Sequence, residues 1–479
     1  MQALSRARIP LPAIVFSAMA LLSACAVGPD YTRPQTLAPE AFKESDARRE
    51  IDDTGQTVWK AADPESVDAG PWWTVFDDAA LNAFMPQLTA ANQDVAASRA
   101  RLRQARSAAG EALGAFFPSL TAQGDVTRGR ANDASPVINT YRGRLTASWE
   151  LDVFGATRRD AESAIASAQS AEASLASTLL AMRAELAQDY FLLRSLDEQI
   201  RLYQQTLAAY ERSLGITRNQ HAAGTVTRLD VSQAETQWKN ARTQLLDLCL
   251  QRKNTEHALA CLLGLAPAQL TIAPAPLEAT LPRVAAVIPA ALLERRPDIA
   301  AAERRMAAAN AQIGIAKSAY FPVISLGASQ SYTGDTLHTL FSLPERIWSV
   351  GATLAQNLFQ GGRLIARTEQ AEAAWEASVA EYRGTVLNAF REVEDRLAEV
   401  ALLEQEEEAA RDALASAREA EKLALSQYRG GTVTYLNVAA AQAAALAGAR
   451  NAVNTRGKRF IAAVALIRAL GGGWTAAGN

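Results

Sequence analysis

A chain of 479 residues with 48 Lys and Arg against 51 Asp and Glu carries a formal charge of -3, so it offers neither a basic field to draw nucleic acid nor a long acidic tail. Hydrophobic residues are 49% and aromatics only 6%, which leaves Ala, Leu and Val as the bulk of the apolar content and favours long, closely packed helices. No HExxH, CxxC, glycine-rich phosphate loop or nucleophile elbow occurs, and His221, His257 and His338 are scattered, which excludes the common enzyme, metal-site and cofactor signatures.

In chain order, Arg6 and Arg8 precede an apolar stretch from Ile9 to Leu22, the pattern of a secretory signal over 1–24. Leu22-Ser23-Ala24-Cys25 then resembles the lipobox of bacterial lipoproteins, which makes Cys25 the expected lipidation site and mature N-terminus. An ordinary signal peptide with a chance cysteine is the alternative. Ala26, in place of an acidic residue, is similar to lipoproteins sorted to the outer membrane. Residues 25–70 carry Pro29, Pro34, Pro39 and Pro64 without periodicity and read as an extended leader lying on another part of the protein.

From Pro71-Trp72-Trp73 a helical pattern runs to about Phe117, where Pro118 ends it. The period then changes to two. Leu120, Ala122, Gly124 and Val126 alternate with polar neighbours over 118–130, and Leu145, Ala147, Trp149, Leu151 and Val153 do the same over 141–153. Each strand has the length needed to cross a bilayer. A helix of roughly 90 Å follows from about Arg158 to His221, with heptad-spaced Leu186, Leu193, Ile200, Leu207 and Leu214 interrupted at Asp189. The turn GTVTRLD at 224–230 ends it, and a return helix reaches about Leu265. Cys249 and Cys261 lie on that one helix, roughly 18 Å apart, beyond disulfide range, and are expected as buried free thiols.

After a proline-containing connector, 266–291, the scheme starts over. A helix to Tyr320 precedes Phe321-Pro322, strands at about 322–334 and 347–359, another helix of roughly 100 Å, and the turn GTVTYLN at 431–437. Glu404 to Glu408 interrupts its heptads. The expected organisation is thus a first repeat over 71–265, with its tip at about 222–230, and a second over 292–470, with its tip at about 429–437, followed by a tail at 471–479. Each repeat is a helix, a two-stranded hairpin, a very long helix, a turn and a return helix.

Four amphipathic strands cannot span a membrane alone, because lipid leaves every open sheet edge unsatisfied. Single-chain barrels begin at about eight strands, so several chains must pool them; three chains would supply about twelve. Soluble hairpins covered by helices are the alternative.

Cys25-Ala26-Val27-Gly28-Pro29-Asp30-Tyr31, Trp72-Trp73 with Phe76-Asp77-Asp78, Arg296-Pro297-Asp298-Ile299, Phe359-Gln360-Gly361-Gly362 and Leu470-Gly471-Gly472-Gly473-Trp474 occur in an order that resembles the outer membrane factors. These are TolC- and OprM-like efflux ducts, and the closest likeness is to the lipoprotein branch called NodT-type. The resemblance implies a mainly α fold with a β-barrel contribution: a homotrimer with a twelve-stranded outer membrane barrel and a periplasmic helical barrel. It implies a passive duct for small molecules, catalysing nothing and needing no cofactor, with a periplasmic adaptor and an inner membrane RND-type transporter as partners. A duct for polypeptide secretion with an ABC-type pump, and a lipid-anchored coiled coil without a pore, are the alternatives.

By the same resemblance the two turns form the periplasmic tip. Gly224, Thr225, Val226, Arg228 and Asp230, with Gly431, Thr432, Val433, Tyr435 and Asn437, are the expected adaptor contacts. Each turn also has the residues of a capping box, Thr227 with Asp230 and Thr434 with Asn437. Relatives carry an acidic ring just inside the second tip, but here Ala440 and Ala443 stand at the charged positions. Leu436 becomes the candidate gate, with Asp230 as the nearest acid; ordinary tip packing is the plain reading of Leu436.

Overall fold

The computed structural model describes residues 26–34, 39, 41–44, 71–130, 132, 134, 136–282, 295–336, 338 and 346–472. Seven helices and four strands alternate among these residues. They are α1 Ala79–Ala91, α2 Gln93–Gly114, β1 Ser119–Gly129, β2 Ile138–Leu151, α3 Ala156–Ala222, α4 Arg228–Leu262, α5 Pro297–Ser318, β3 Val323–Gly334, β4 Arg346–Ala355, α6 Arg363–Arg429 and α7 Tyr435–Ala469. Short 3₁₀ turns cover Trp72–Phe76 and Pro267–Gln269. The halves match in length as well as in order: α2 and α5 have 22 residues each, α3 and α6 67 each, α4 and α7 35 each. Such agreement identifies two copies of one structural unit.

The helical stretch expected before β1 is broken at Asn92 into α1 and α2. The Asn92 backbone is extended, its Oδ1 accepts from Val95 N–H at 3.0 Å, and its amide donates to the Leu262 carbonyl at 2.9 Å. One buried side chain therefore caps α2 and satisfies the open carbonyl end of α4. Asp78 caps α1 in turn, accepting from Ala80 N–H and Leu81 N–H at 3.0 and 2.9 Å.

Two compact units result, and each draws on both halves of the sequence. The first takes 1–35, 101–172 and 301–383; the second takes 36–100, 173–300 and 384–479. In the first unit the helices meet through small side chains. Ala166 packs with Ala307 and Ala308, and the Ser163 and Ser170 hydroxyls donate to the Ala308 and Ala301 carbonyls at 3.1 and 2.9 Å. The leader crosses this unit without regular secondary structure: Val27 N–H donates to Phe154 O at 3.1 Å, Arg159 pairs with Asp30 at 2.7 Å, and the Tyr31 hydroxyl bonds Glu303.

The second unit has an aromatic centre in which Phe191 lies 4.9 Å from both Phe76 and Phe460, ringed by Leu81, Met85, Leu88 and Leu259. Rings at these spacings bury large areas and add a geometric preference to the core. Arg296 of the Arg-Pro-Asp segment joins three elements there. It bonds Asp298 at 2.7 Å, Glu392 of α6 at 2.9 Å and the Ala469 carbonyl of α7 at 2.9 Å.

The cysteines depart from expectation. Both are free, but Cys249 is half-buried and Cys261 exposed, since twelve residues of helix set them about a third of a turn apart on different sides of α4. Cys25, the signal segment, leader residues 45–70, connector residues 283–291 and the tail from 473 lie outside the described residues.

Candidate functional site

The four strands form one antiparallel sheet in the order β1-β2-β3-β4, so the two hairpins pair with each other through β2 and β3. Directly opposed residues of an antiparallel pair share a face, and the register therefore sorts every side chain. Leu120 opposes Ala147 and Ala122 opposes Leu145; Trp149 opposes Leu326 and Leu151 opposes Ile324; Leu354 opposes Ile324 and Val350 opposes Ala328. All of these lie on one face, which also carries Val126 and Trp348.

That face carries apolar side chains on all four strands, interrupted by Gln330 between Leu145 and Trp348 and by Arg128 and Arg346 at one end, and it is open: Leu120 is 68% exposed, Val350 75% and Trp348 66%. The other face holds Ser119, Thr121, Gln123, Asp125, Arg142, Arg144, Ser329 and Ser349. Arg142 and Asp125 approach to 3.8 Å there, and the Ser329 and Ser349 hydroxyls bond at 2.9 Å. The sheet is mainly oily on one side and polar on the other, with the outer edges of β1 and β4 unpaired among the described residues. No helix among the described residues is long and apolar enough to cross a membrane.

The second group of candidate residues sits at the two helix reversals. Gly224 and Gly431 have φ of 74° and 72°, a left-handed conformation that side chains other than glycine rarely adopt. Each ends its helix in the same way: Gly224 N–H donates to His221 O and Thr225 N–H to Gln220 O, both at 2.9 Å, and Gly431 N–H and Thr432 N–H donate to Tyr428 O and Gln427 O, both at 3.0 Å. This is the Schellman pair of bonds that satisfies the last helical carbonyls.

Beyond the glycine the turns differ. At the first, Thr227 N–H donates to Asp230 Oδ2 at 2.9 Å and Asp230 N–H to Thr227 Oγ1 at 3.4 Å, a complete capping box. At the second, Thr434 makes no side-chain cap bond, and Asn437 N–H reaches only the Thr434 carbonyl at 3.2 Å. The capping box expected there is absent, since the neutral Asn437 amide does not reach back to the start of α7.

Arg228 is exposed, whereas Tyr435, its counterpart in the repeat, is buried at 2% exposure. The Tyr435 side chain is therefore not an outward tip residue. Its ring meets Tyr428 edge-on at 5.7 Å and packs with Leu214, Val231, Ala234 and Val438, while its hydroxyl donates to Gln237 at 3.4 Å. The Tyr428 hydroxyl donates to Gln220 Oε1 at 2.6 Å, which ties the second tip to the first. Burial raises Tyr435 above the ordinary tyrosine value and pushes Tyr210 up to about 12, so these hydroxyls stay protonated and donate.

Sequence reasoning missed Tyr428. The offset that superposes Gly224 on Gly431 also superposes His221 on Tyr428, and that replacement was the available signal. His221 turns inward on its own loop, with Nδ1 3.0 Å from the Val226 carbonyl.

Gly224, Thr225, Gly431, Thr432 and Asn437 are exposed, Val226 and Val433 half-buried, and Asp230 is committed to its cap. Leu436 is 59% exposed and shares a helical stripe with exposed Ala440 and Ala443.

A family model described as outer membrane efflux protein matches residues 85–265 and 288–472. The outer membrane protein OprJ of Pseudomonas aeruginosa is 32% identical over 97% of this chain and 96% of its own length. The pyoverdine export outer membrane protein OpmQ of the same organism is 30% identical, with 96% of each chain covered. Among solved structures, the outer-membrane channel OprN is 31% identical, covers 94% of this chain and 100% of its own, and superposes with a TM-score of 0.84.

Proposed function

Since the chain belongs to the outer membrane efflux protein family and is an outer membrane channel component of an efflux system rather than an enzyme, we propose that three copies pool their sheets into one closed barrel and their long helices into a periplasmic tunnel. One observation carries this reading: a four-stranded sheet with an open, mainly apolar face and, among the described residues, two unpaired edges. Lipid tolerates such a face but not such edges, and a ring of sheets satisfies both conditions. The polar face then lines the water-filled interior.

The duct is passive. It takes its cargo from a periplasmic adaptor and an inner membrane RND-type transporter, and the exposed parts of Gly224, Thr225, Arg228, Gly431, Thr432 and Asn437 dock the adaptor. Cys25 carries the lipid anchor, a reading supported by the adjacent leader, whose Val27 N–H donates to the Phe154 carbonyl just past β2. The relative named for pyoverdine export supports small molecules as cargo over a secreted polypeptide. Leu436, with Ala440 and Ala443 behind it, narrows the tunnel by apolar contact instead of a ring of charge.

The faces give the test. Val350→Arg places a charge on the lipid side, at a cost of about 2–4 kcal/mol near the bilayer midplane, whereas Ser349→Arg places it on the polar side of the same strand. The expected outcome is loss of membrane-inserted protein for the first and normal insertion for the second. Equal insertion of the two would contradict the reading.

A further inference from the structure

The seam between the two hairpins of one chain ends in an aromatic pair. Phe154, just after β2, stacks on Phe321, just before β3, with ring centroids 4.8 Å apart and planes at 22°. Leu151 opposes Ile324, so the exit of β2 and the entry of β3 share one end of the sheet. The pair closes that end of the seam, at a spacing where stacked rings attract.

The internal repeat supplies both positions again at the outer edges of the same sheet end. Phe117-Pro118 before β1 corresponds to Phe321-Pro322 before β3. Phe359 after β4 corresponds to Phe154 after β2, and each is followed four residues later by an arginine in the first turns of a long helix, Arg158 or Arg363. These two rings are open: Phe117 is 74% exposed and Phe359 90%, against 39% for Phe321. Leu358 beside Phe359 is 89% exposed, and Leu113, one helical turn before Phe117, 43%. The Trp149 indole N–H donates to the Phe116 carbonyl at 2.9 Å and holds the turn that presents Phe117. Within one chain the two rings lie at opposite edges of four strands, on the order of 14 Å apart, and do not meet.

We propose that Phe359 of one copy stacks on Phe117 of the next. The seams between copies would then close as Phe154 and Phe321 close the seams within them. The occupant is a second copy of this chain, because the patch is continuous with the unpaired edges of β4 and β1, and the proposal rests on the pooled barrel described above. A head-to-tail contact between two different patches, repeated by rotation, closes a ring and leaves neither ring exposed. Leu358 and Leu113 extend the same contact.

The test uses the full-length protein purified from membranes, with Cys249 and Cys261 replaced by serine. F117C and F359C are made singly and together and treated with a short thiol-to-thiol cross-linker. Covalent dimers and trimers on a denaturing gel are expected for the double variant, and monomer only for each single variant. A double variant that stays monomeric, or that links only within a chain, overturns the stack.

A second measurement guards against disturbed folding. F117A and F359A should each lower the temperature at which the trimer dissociates in detergent by a few °C, and the double variant should fall no further than either alone. Additive shifts, or none, count against the contact. The mass of the native wild-type assembly separates the two readings: a monomer removes the pooled barrel and this contact with it, whereas a trimer without cross-links removes only the contact.

Discussion

Glu407 lies in the acidic run that breaks the heptad rhythm of α6, and its surroundings account for the break. The side chain is buried between Arg459 of α7 and Arg411 of its own helix, both of which it bonds, while Arg459 also reaches Glu404 at 3.2 Å. Burial draws the Glu407 carboxyl upward, but Arg459 and then Arg411 outweigh it and hold it below the usual carboxylate range. A depressed value stabilises the fold above the ordinary carboxylate pKa and loses that contribution as pH falls through the lowered one. Glu407→Gln should therefore cost about 3 kcal/mol at neutral pH, with a deficit in thermal unfolding that narrows in acid. Asp189 has the opposite sign. Burial, helped by Glu185, pushes it up to about 6, so its ionised form weakens the fold as pH rises from 3.8 towards and through 6. Asp189→Asn should raise the unfolding temperature at pH 8 and leave it unchanged near pH 3; equal shifts at both would remove the assignment. At Leu436, truncation to alanine should raise the conductance of the assembled channel, and an unchanged conductance would return this residue to ordinary tip packing.

At the scale of elements, the helix reversals separate what is legible in a sequence from what is not. Two glycines followed by Thr-Val-Thr announce a stop and a restart, because only local backbone geometry is involved. The capping box at Thr227 and Asp230 is equally local. The second turn lacks the box at Thr434, and the burial of Tyr435 depends on Gln237 and Leu214 arriving from another helix pair, which no spacing within the turn encodes. The difference has a measurable consequence. Asp230→Ala should cost about 1 kcal/mol and loosen the first turn of α4, seen as faster amide exchange at Val231, whereas Asn437→Ala should leave Val438 unaffected. The strands were legible for a similar reason: a period of two sorts faces without any knowledge of the partner strand. That β2 pairs with β3 was not legible, since their pairing is fixed by tertiary closure across more than a hundred intervening residues. The Asn92 break and the leader contacts through Asp30 and Tyr31 were hidden likewise, each depending on a distant helix.

Taken as a whole, the molecule is two copies of one unit with the lengths of three paired helices preserved, arranged so that both compact regions draw on both copies. The duplication explains why one end of the sheet presents the same aromatic positions twice, satisfied at the inner seam and open at the outer edges. It also explains why a single chain is incomplete: its sheet has a lipid-compatible face and edges that lipid does not tolerate. Membership of the outer membrane efflux family supplies the setting, and the sheet supplies the physical reason for assembly. The most direct test is the electrical conductance of purified trimers in planar lipid bilayers, measured for the wild type and for Leu436→Ala. Discrete current steps are expected as trimers insert, larger in the variant; folded, inserted trimers of both proteins that pass no current would contradict a passive duct.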